Sequence, residues 1–290
     1  MEDDRDLRCV ILTGDENGRA FSAGAYLKNP RTHTQSSIAN FIEGIPKRRR
    51  LSPISMLADF AKPIVAAVNG YAVGIGCITT FCCDLIVASD RAEWRLPQVA
   101  LGIMPAQAGA LRAARWIGKG MAMRLALGFP LPAEEAYRIG LAQWLVPHSD
   151  LMPQAMKVAE HIASLSPLAA RVAKESLNSG LNVPLNDAAH ADLYRFMALE
   201  LTEDKSEGHR AWRERRKPKF TGRRVASNVE AVEVAHDRLL AASGRALVPS
   251  AGTAAPGRKG RDHRCSAERS GECRNFRRAA GAPRVAGSLA

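Results

Sequence analysis

The sequence predicts an α/β protein in which short buried strands alternate with helices, followed by a C-terminal layer made only of helices. Before Ala108, apolar runs of strand length alternate with segments that suit helices, and from Ala108 onward only helical periodicity remains. Strands that alternate with helices are typical of a parallel sheet covered by helices. We therefore expect an α/β core over residues 1–165 and a helical region over residues 166–223. The chain has 290 residues, enough to bury a sizeable core.

Three apolar runs are the candidate strands. Arg8–Leu12 ends before a Thr-Gly pair, Ile64–Val68 lies between a proline and an Asn-Gly turn, and Asp84–Ala88 is the third run. Between the last two, Ile75–Phe81 is apolar without a break and predicts a buried helix.

The C-terminal helices are predicted from apolar residues that recur at helical spacing. The predicted segments are residues 109–128, 133–140, 151–165 and 168–180, and a long helix over residues 187–216. Gly140 closes the second of these segments, as glycine often does at a helix end.

The last quarter of the chain differs in composition from the rest. More than half of the net charge of +12 falls in residues 223–290, where Arg, Ala, Gly and Ser dominate. Only Val229–Ala242 shows a helical pattern, so we expect residues 224–290 to be a low-complexity, mostly disordered tail. An arginine-rich arm for nucleic acid is the alternative, but Phe276 is its only aromatic residue after Val248 and acids are interspersed. We therefore expect no nucleic-acid partner.

Composition also excludes several classes of protein. No apolar run approaches the roughly 20 residues that cross a bilayer, and the chain opens with an acidic segment, which argues against a membrane span and a secretory signal. Cys77, Cys82 and Cys83 lie in apolar sequence and are typical of buried thiols in a reducing compartment. We expect a cytoplasmic protein. No cysteine or histidine cluster has metal-site spacing, so we expect no metal.

Two glycine-containing elements are the candidate functional segments. Gly14–Lys28 follows the first strand, and Asn69–Cys77 leads from the second strand into the buried helix. Glycines at such places let a ligand approach the main chain, and two N–H groups that converge from different loops form an oxyanion hole. The alternative is that the glycines only permit close packing. Neither element matches a dinucleotide or triphosphate motif.

These two elements and several other sequence blocks occur in a fixed order along the chain. They run from RCVILTG and GRAFSAGAYLK, through KPIVAAVNGYAVGIGC and CDLIVASDRAEWRLPQVALGIMP, to GKGMAMRLALG, AEEAYRIGLAQWLVP, SPLAARVAKESLN and TEDKSEGHRAWRERRKPKFTGR. Together they closely resemble the enoyl-CoA hydratase/isomerase (crotonase) family. The resemblance implies a crotonase-like ββα spiral core with a helical C-terminal layer.

The resemblance implies a site for a coenzyme A thioester. In the family, the loop matching FSAGAYLK supplies one oxyanion N–H, here that of Ala25, and the glycine run supplies the second, here that of Ile75. Ala23 and Leu27 would lie along the bound coenzyme A, with Lys28 near its phosphates. No tightly bound cofactor is implied, because coenzyme A enters as part of the substrate.

The carboxylate positions of the family are all occupied by other residues. Family hydratases use two glutamates, and the matching positions here are Ile78 and Gln98; the aspartate positions of some relatives are Ala106 and Tyr26. An isoleucine transfers no proton, and a glutamine only orients one. Two hypotheses follow: an enoyl-CoA hydratase/isomerase-type enzyme, a lyase or isomerase that stabilises an enolate, or a non-catalytic paralogue that binds acyl-CoA or another partner.

Four other charged or polar features lie near the matched motifs. Gln98 is the side chain best placed to contact the acyl group. Glu93 is interpreted as a solvated acid and Arg95 as an exposed or ion-paired residue, with a position in the pocket as the alternative. Lys47–Arg50 is interpreted as a solvated loop, with steering of a polyanion as the alternative.

The resemblance also bears on the start of the chain and on assembly. Family members usually carry a strand pair, a first core strand and a helix before the segment matching RCVILTG, so we expect that segment to be missing here unless the true start lies upstream. By the same resemblance we expect a homotrimer or homohexamer that associates through the C-terminal helices.

Overall fold

The computed structural model describes residues 4, 6–25 and 52–223. These residues belong to one unit that spans residues 1–247. Expectations for Tyr26, Leu27 and Lys28, for the basic run at 47–50 and for the tail at 224–290 lie outside the described residues.

The first sheet holds the three predicted strands and a fourth. Its strands run parallel in the order β1-β3-β5-β8, with β1 at Val10–Thr13, β3 at Ile64–Val68, β5 at Leu85–Ser89 and β8 at Trp144–Val146. The prediction of Ile64–Val68 is confirmed, and the other two predicted strands begin one or two residues later in the structure.

A second sheet of very short strands was not predicted. Its order is β2-β4-β6-β7, with β2 at Ala20–Ser22, β4 at Tyr71–Val73, β6 at Glu93–Arg95 and an antiparallel edge strand β7 at Leu131–Pro132. The first three strands of the first sheet each lead into the next strand of the second sheet. Strands of two or three residues are too short to show a two-residue period, which is why the sequence pattern missed them.

Eight helices and two 3-10 segments complete the described residues. The helices are α1 Pro53–Ala58, α2 Ile75–Thr80, α3 Gly109–Ala126, α4 Ala133–Arg138, α5 Leu151–Ala163, α6 Pro167–Gly180, α7 Leu185–Glu200 and α8 Glu203–Arg213, and the 3-10 segments are Pro97–Leu101 and His148–Asp150. None of the helices in this part of the chain has both the length and the apolar character to cross a bilayer.

Two predicted helices are interrupted in the structure. The long helix expected over 187–216 is wrong as a single element, because α7 ends at Glu200 and α8 begins after Thr202, whose hydroxyl accepts a hydrogen bond from the Lys205 N–H. A threonine side chain at that position caps the new helix. Within α3, Gly118 adopts φ 74° and breaks the helical path.

Strand β3 lies at the centre of the protein and is buried on both faces. Ile64, Ala66 and Val68 face the larger hydrophobic core between the two sheets, while Val65 and Ala67 face a second core under α5. Side chains alternate across a strand, so one strand serves two cores. The α5 residues in the second core are Leu151, Ala155, Val158 and Ile162.

A buried ion pair joins the helical layer to the first sheet. Lys174 of α6, only 8% exposed, donates from Nζ to Asp84 Oδ2 at 2.7 Å and to the Lys62 carbonyl at 2.8 Å. Asp84 Oδ2 also accepts from the Ile64 N–H at 2.7 Å. Burial raises the pKa of the Asp84 carboxyl, although Lys174 and the Ile64 N–H oppose the shift.

Carboxylates of α8 hold the segment that follows the helix. Asp204, 3% exposed, accepts hydrogen bonds from Ser166 Oγ and from the N–H groups of Thr221 and Gly222. Glu207 binds the guanidinium of Arg216 and accepts the Lys219 N–H at 2.8 Å. These groups line a cleft of about 600 Å³, but their oxygens are already engaged by the protein itself.

The described cysteines are free thiols in or near the core. Cys77, Cys82 and Cys83 are buried, and Cys9 is partly buried. Burial raises the pKa of all four thiols, that of Cys9 to about 11. Because a thiol reacts as its thiolate, these cysteines are protected from oxidation and alkylation while the fold is closed.

Candidate functional site

The two glycine-containing elements are in direct contact. A Cβ on Gly24, which has φ +90°, would lie 2.8 Å from the Val73 carbonyl oxygen, and a Cβ on Gly76 would lie 2.4 Å from the Ser22 Cβ. Both approaches are too close for a side chain. The loop after β2 therefore packs against the turn from β4 into α2, so the glycines permit close packing and bring two stretches of main chain together.

Ile75 is the first residue of α2, directly after Gly74. The first hydrogen bond of this helix runs from the Ile78 N–H to the Gly74 carbonyl at 3.1 Å, so the Ile75 N–H precedes the helical ladder and has no acceptor within it. Gly74, with φ +56°, is fixed by its own N–H, which donates to the Arg95 carbonyl at 2.9 Å. The Ile75 side chain packs against the larger core.

Ala23 and Ala25 flank Gly24 on the loop that contacts this turn. Both are exposed, and the Gly24 N–H donates to Ser22 Oγ at 3.3 Å, which fixes the path of the loop. Leu27 and Lys28, predicted to contact the coenzyme A, follow on the same segment outside the described residues. The structure thus brings the segments of Ala25 and Ile75 together, while their roles stay a prediction.

The resemblance matches Ile78 to the position of the first glutamate of the family's hydratases. Its side chain is 1% exposed and packs on Gly109, where an added Cβ would lie 2.6 Å from Ile78 Cδ1 and 3.3 Å from Pro105 Cβ. A branched alkyl group therefore fills the space between α2 and the start of α3. This group neither donates nor accepts a proton.

Gln98 lies beside Gly74. Its Nε2 is 3.5 Å from the point where Gly74 would carry a Cβ, and its buried Oε1 accepts no hydrogen bond from the residues that the structure describes. Pro97 precedes it at the start of a 3-10 segment, whose end is closed by the Gly102 and Ile103 N–H groups. Buried amide oxygens are usually hydrogen-bonded, so this one is open to a donor that the described residues do not supply.

The loop before α3 is held in a strained conformation. Gln107 and Ala108 are consecutive residues with φ near the left-handed region, at +55° and +57°. Ser52 Oγ donates to Gln107 Oε1 at 2.8 Å, and Arg112 Nε donates to the Gln107 carbonyl at 3.3 Å. Such strain concentrates at functional sites. No local sequence pattern marks Ser52, because its partner lies 55 residues away.

Glu93 and Arg95 bind each other rather than a site group. Their side chains form an ion pair on β6, and the Arg95 guanidinium lies 5.3 Å from the centre of the Tyr71 ring. The interpretation of Arg95 as exposed and ion-paired is confirmed, and Glu93 is partly buried as its partner. Neither residue needs a ligand to account for its surroundings.

Comparison with known proteins identifies the family. The model of the enoyl-CoA hydratase/isomerase family matches residues 1–223. The chain belongs to this family. A probable enoyl-CoA hydratase of Mycobacterium tuberculosis is 37% identical over 226 residues, which cover 77% of this chain and 84% of the relative. The 2,3-dehydroadipyl-CoA hydratase of Escherichia coli is 34% identical over 221 residues, or 76% of this chain and 83% of the relative.

A solved relative agrees with the fold. The crystal structure of an enoyl-CoA hydratase from Bacillus anthracis superposes with a TM-score of 0.68 at 32% identity, and the match covers 77% of this chain and 84% of that one. The predicted crotonase-like α/β fold is therefore confirmed. The relatives of this chain carry names of enzymes that act on coenzyme A thioesters, such as 2,3-dehydroadipyl-CoA hydratase. These names agree with an acyl-CoA-processing role for the chain.

Proposed function

We propose that this crotonase-family chain binds an acyl-CoA thioester and polarises its carbonyl oxygen with the backbone N–H groups of Ala25 and Ile75. The observation that carries the proposal is the contact of Gly24 with Val73 and Gly74, which puts the two N–H-bearing segments side by side. Two N–H groups aimed at one oxygen stabilise the negative charge of an enolate.

Coenzyme A enters this proposal as part of the substrate. Ala23 and Leu27 would lie along it, and Lys28 would meet its phosphates. The reaction class is that of an enoyl-CoA hydratase or isomerase, in which the enolate is the common intermediate. With Ile78 and Gln98 at the glutamate positions, this chain's contribution is to bind the thioester, stabilise the charge on its oxygen and orient the acyl group.

Thermal unfolding of the full-length protein tests the binding step. At a hundredfold excess over Kd, butyryl-CoA would stabilise the folded state by about 2.7 kcal/mol. For a domain of this size that is a rise in Tm of roughly 5–10 °C. Coenzyme A without an acyl group, at the same concentration, is the control and should produce a smaller rise. No rise with either compound would contradict the proposal.

A substitution at Ile75 tests the role of its N–H. Proline is tolerated at the first position of a helix, so Ile75→Pro should keep the fold while it loses the N–H together with the isoleucine side chain. Ile75→Ala keeps the donor and is the matched control. Infrared difference spectra of a ¹³C-labelled thioester carbonyl should show a downshift on binding that is smaller in Ile75→Pro; an equal downshift in both variants would reject this N–H as a donor.

A second function is favoured by one observation, the close packing of Ile78 on Gly109. An alkyl group at the first carboxylate position, locked by its surroundings, suits a protein that binds acyl-CoA without converting it. Steady-state assays with crotonyl-CoA distinguish the two functions. Turnover well above the uncatalysed rate supports the enzyme, and tight binding without turnover supports the non-catalytic paralogue.

We propose further that the chain self-associates through α7, as a trimer or hexamer. One face of α7 packs on α6 through Ala188, Ala191 and Arg195, while apolar side chains on another face are exposed, namely Leu185, Leu193, Phe196 and Met197. A face of this kind is typical of a protein interface. Sedimentation velocity should show Phe196→Glu shifted towards monomer, and the control Asp187→Lys, at an exposed position on the opposite side of α7, unshifted; a monomeric parent protein would contradict the proposal.

A further inference from the structure

The side chain of Ser22 lies between the two segments that carry the proposed donors. Ser22 is the last residue of β2, and its Oγ accepts a hydrogen bond from the Gly24 N–H at 3.3 Å. On its other side, a Cβ on Gly76 would lie 2.4 Å from Ser22 Cβ and 2.6 Å from its Oγ. One short side chain therefore contacts both the loop that leads to Ala25 and the first turn of α2.

The strand that ends at Ser22 has an irregular register. Ala20 pairs with Tyr71 and Ser22 pairs with Ala72, so β2 has one residue more than β4 over this stretch. An extra residue of this kind bends a strand and redirects its side chains. The irregularity occurs at the residue whose side chain contacts both segments.

Two contacts restrict the peptide groups around Gly24. The bond to Ser22 Oγ fixes the peptide plane that precedes Gly24, and the Val73 carbonyl oxygen, 2.8 Å from the Cβ position of Gly24, limits rotation about this glycine. A glycine without such restraints has many other conformations available. The Ala25 N–H belongs to the peptide group that follows Gly24, so its direction depends on the Ser22 hydroxyl as well as on Val73.

We infer that Ser22 is a positioning residue, whose hydroxyl fixes the direction of the Ala25 N–H relative to the Ile75 N–H. The inference rests on the proposed function, since it needs both N–H groups at one carbonyl oxygen. The hydroxyl acts through the main chain and needs no contact with the thioester. Its loss should weaken the hydrogen bond to the carbonyl oxygen and spare the rest of the ligand, because hydrogen bonds weaken steeply when they are misaligned.

A pair of ligands isolates the contribution of the carbonyl oxygen. S-butyl-CoA carries a CH₂ group where butyryl-CoA carries the carbonyl group, so the ratio of their dissociation constants reports the binding of that oxygen. Titration calorimetry of the full-length protein measures both constants. We expect Ser22→Ala to reduce the preference for butyryl-CoA about three- to tenfold, as the loss of one well-aligned hydrogen bond allows. Affinity for S-butyl-CoA should stay close to that of the parent protein.

A remote serine provides the matched control. Ser166 Oγ accepts the Ala169 N–H at 3.4 Å at the start of α6, so Ser166→Ala also removes a hydroxyl that binds a main-chain N–H. This variant should keep the parent preference. Infrared difference spectra of butyryl-CoA with a ¹³C-labelled carbonyl give a second readout, and the downshift on binding should be smaller in Ser22→Ala than in Ser166→Ala.

The outcomes separate the role of Ser22 from the function on which it rests. A parent preference for butyryl-CoA that is unchanged in Ser22→Ala would overturn the role of Ser22 and leave the carbonyl contact intact. An equal decrease in Ser166→Ala would assign the change to a general loss of rigidity and would also overturn that role. Equal affinities of the parent protein for the two ligands would overturn the carbonyl contact of the proposed function together with the inference.

Discussion

The candidate site and the C-terminal helical layer make opposite use of carboxylates. In the helical layer, Asp204 and Glu207 are buried and each accepts several hydrogen bonds. At the candidate site, the resemblance matches Ile78 and Gln98 to the carboxylate positions, and the contact at Gly24 brings two main-chain segments close together. The helical layer thus contains buried carboxylates with several partners each, whereas the candidate site is defined by close contacts of the main chain.

The largest expected effect is on the rate of hydration, when carboxylates are introduced at the two matched positions of the candidate site. Installing both carboxylates with Ile78→Glu and Gln98→Glu should raise the rate of crotonyl-CoA hydration at least about a hundredfold, because each acid/base group contributes roughly 10²–10⁴-fold. Steady-state kinetics measure the change. The single variant Ile78→Gln, which adds a polar group without a titratable proton, is the control and should stay at the parent rate.

An unchanged rate in the double variant, with thioester binding retained, would contradict this prediction. It would mean that the space filled by Ile78 does not place a carboxylate against the acyl group. The candidate site would then differ from the helical layer in its shape as well as in the identity of its side chains.

The second effect is on stability, in the buried pair that connects the layer to the first sheet. Lys174→Met should lower the free energy of unfolding by about 2–3 kcal/mol, since it leaves the partly buried Asp84 without its ammonium partner. Urea denaturation measures the change. Lys205→Met, which removes the more exposed pair with Glu200, is the matched control and should cost less than about 1 kcal/mol. Equal losses would show that burial does not distinguish the two pairs.

The third effect concerns pH. Arg216, the Lys219 N–H and Arg210 hold the pKa of the Glu207 carboxyl well below its usual range. A depressed folded-state pKa gives stability that is complete above the unfolded value, roughly 4.3, and is lost as pH falls towards the folded value. The difference in unfolding free energy between the parent protein and Glu207→Gln should therefore be largest at neutral pH and should shrink below about pH 4. A difference in unfolding free energy that does not change with pH would contradict an ionic contribution of Glu207 to stability.

The smallest effect is expected at the strained loop of the site. Glycine adopts positive φ without the steric cost that alanine carries, so Ala108→Gly should stabilise the protein by about 0.5 kcal/mol. Ala173→Gly, at an exposed position within α6, should instead destabilise it by about 1 kcal/mol. Urea denaturation of both variants measures the two shifts. Shifts of the same sign would mean that the φ angle of Ala108 stores no strain.

Sequence patterns predict the strands and helices of this protein only where the pattern extends over enough residues to show a period. Ile64–Val68 shows its five apolar residues directly, whereas Tyr71–Val73 and Glu93–Arg95 are three-residue strands defined by pairing with each other. The Lys174–Asp84 pair joins residues 90 positions apart, and no local signal marks it.

At the site, the resemblance supplied the positions and the structure supplied their surroundings. Ile78 and Gln98 were identified from the motif order alone. The packing of Ile78 on Gly109 and the unpaired oxygen of Gln98 depend on how distant segments meet in three dimensions. Residue identity therefore predicts which side chains stand at the matched positions, and tertiary contacts are needed to show what surrounds them.

The buried thiol of Cys77 has a practical consequence. It lies on α2, two residues after Ile75, and its raised pKa keeps it inert while that helix stays folded. The rate at which the Cys77 thiol exchanges with a small disulfide reagent therefore reports how often α2 unfolds locally. A bound thioester that accepts a hydrogen bond from the Ile75 N–H should slow this exchange. Peptide-level mass spectrometry of Cys77 would then report the fraction of the protein that has ligand bound, without turnover and without a label on the ligand.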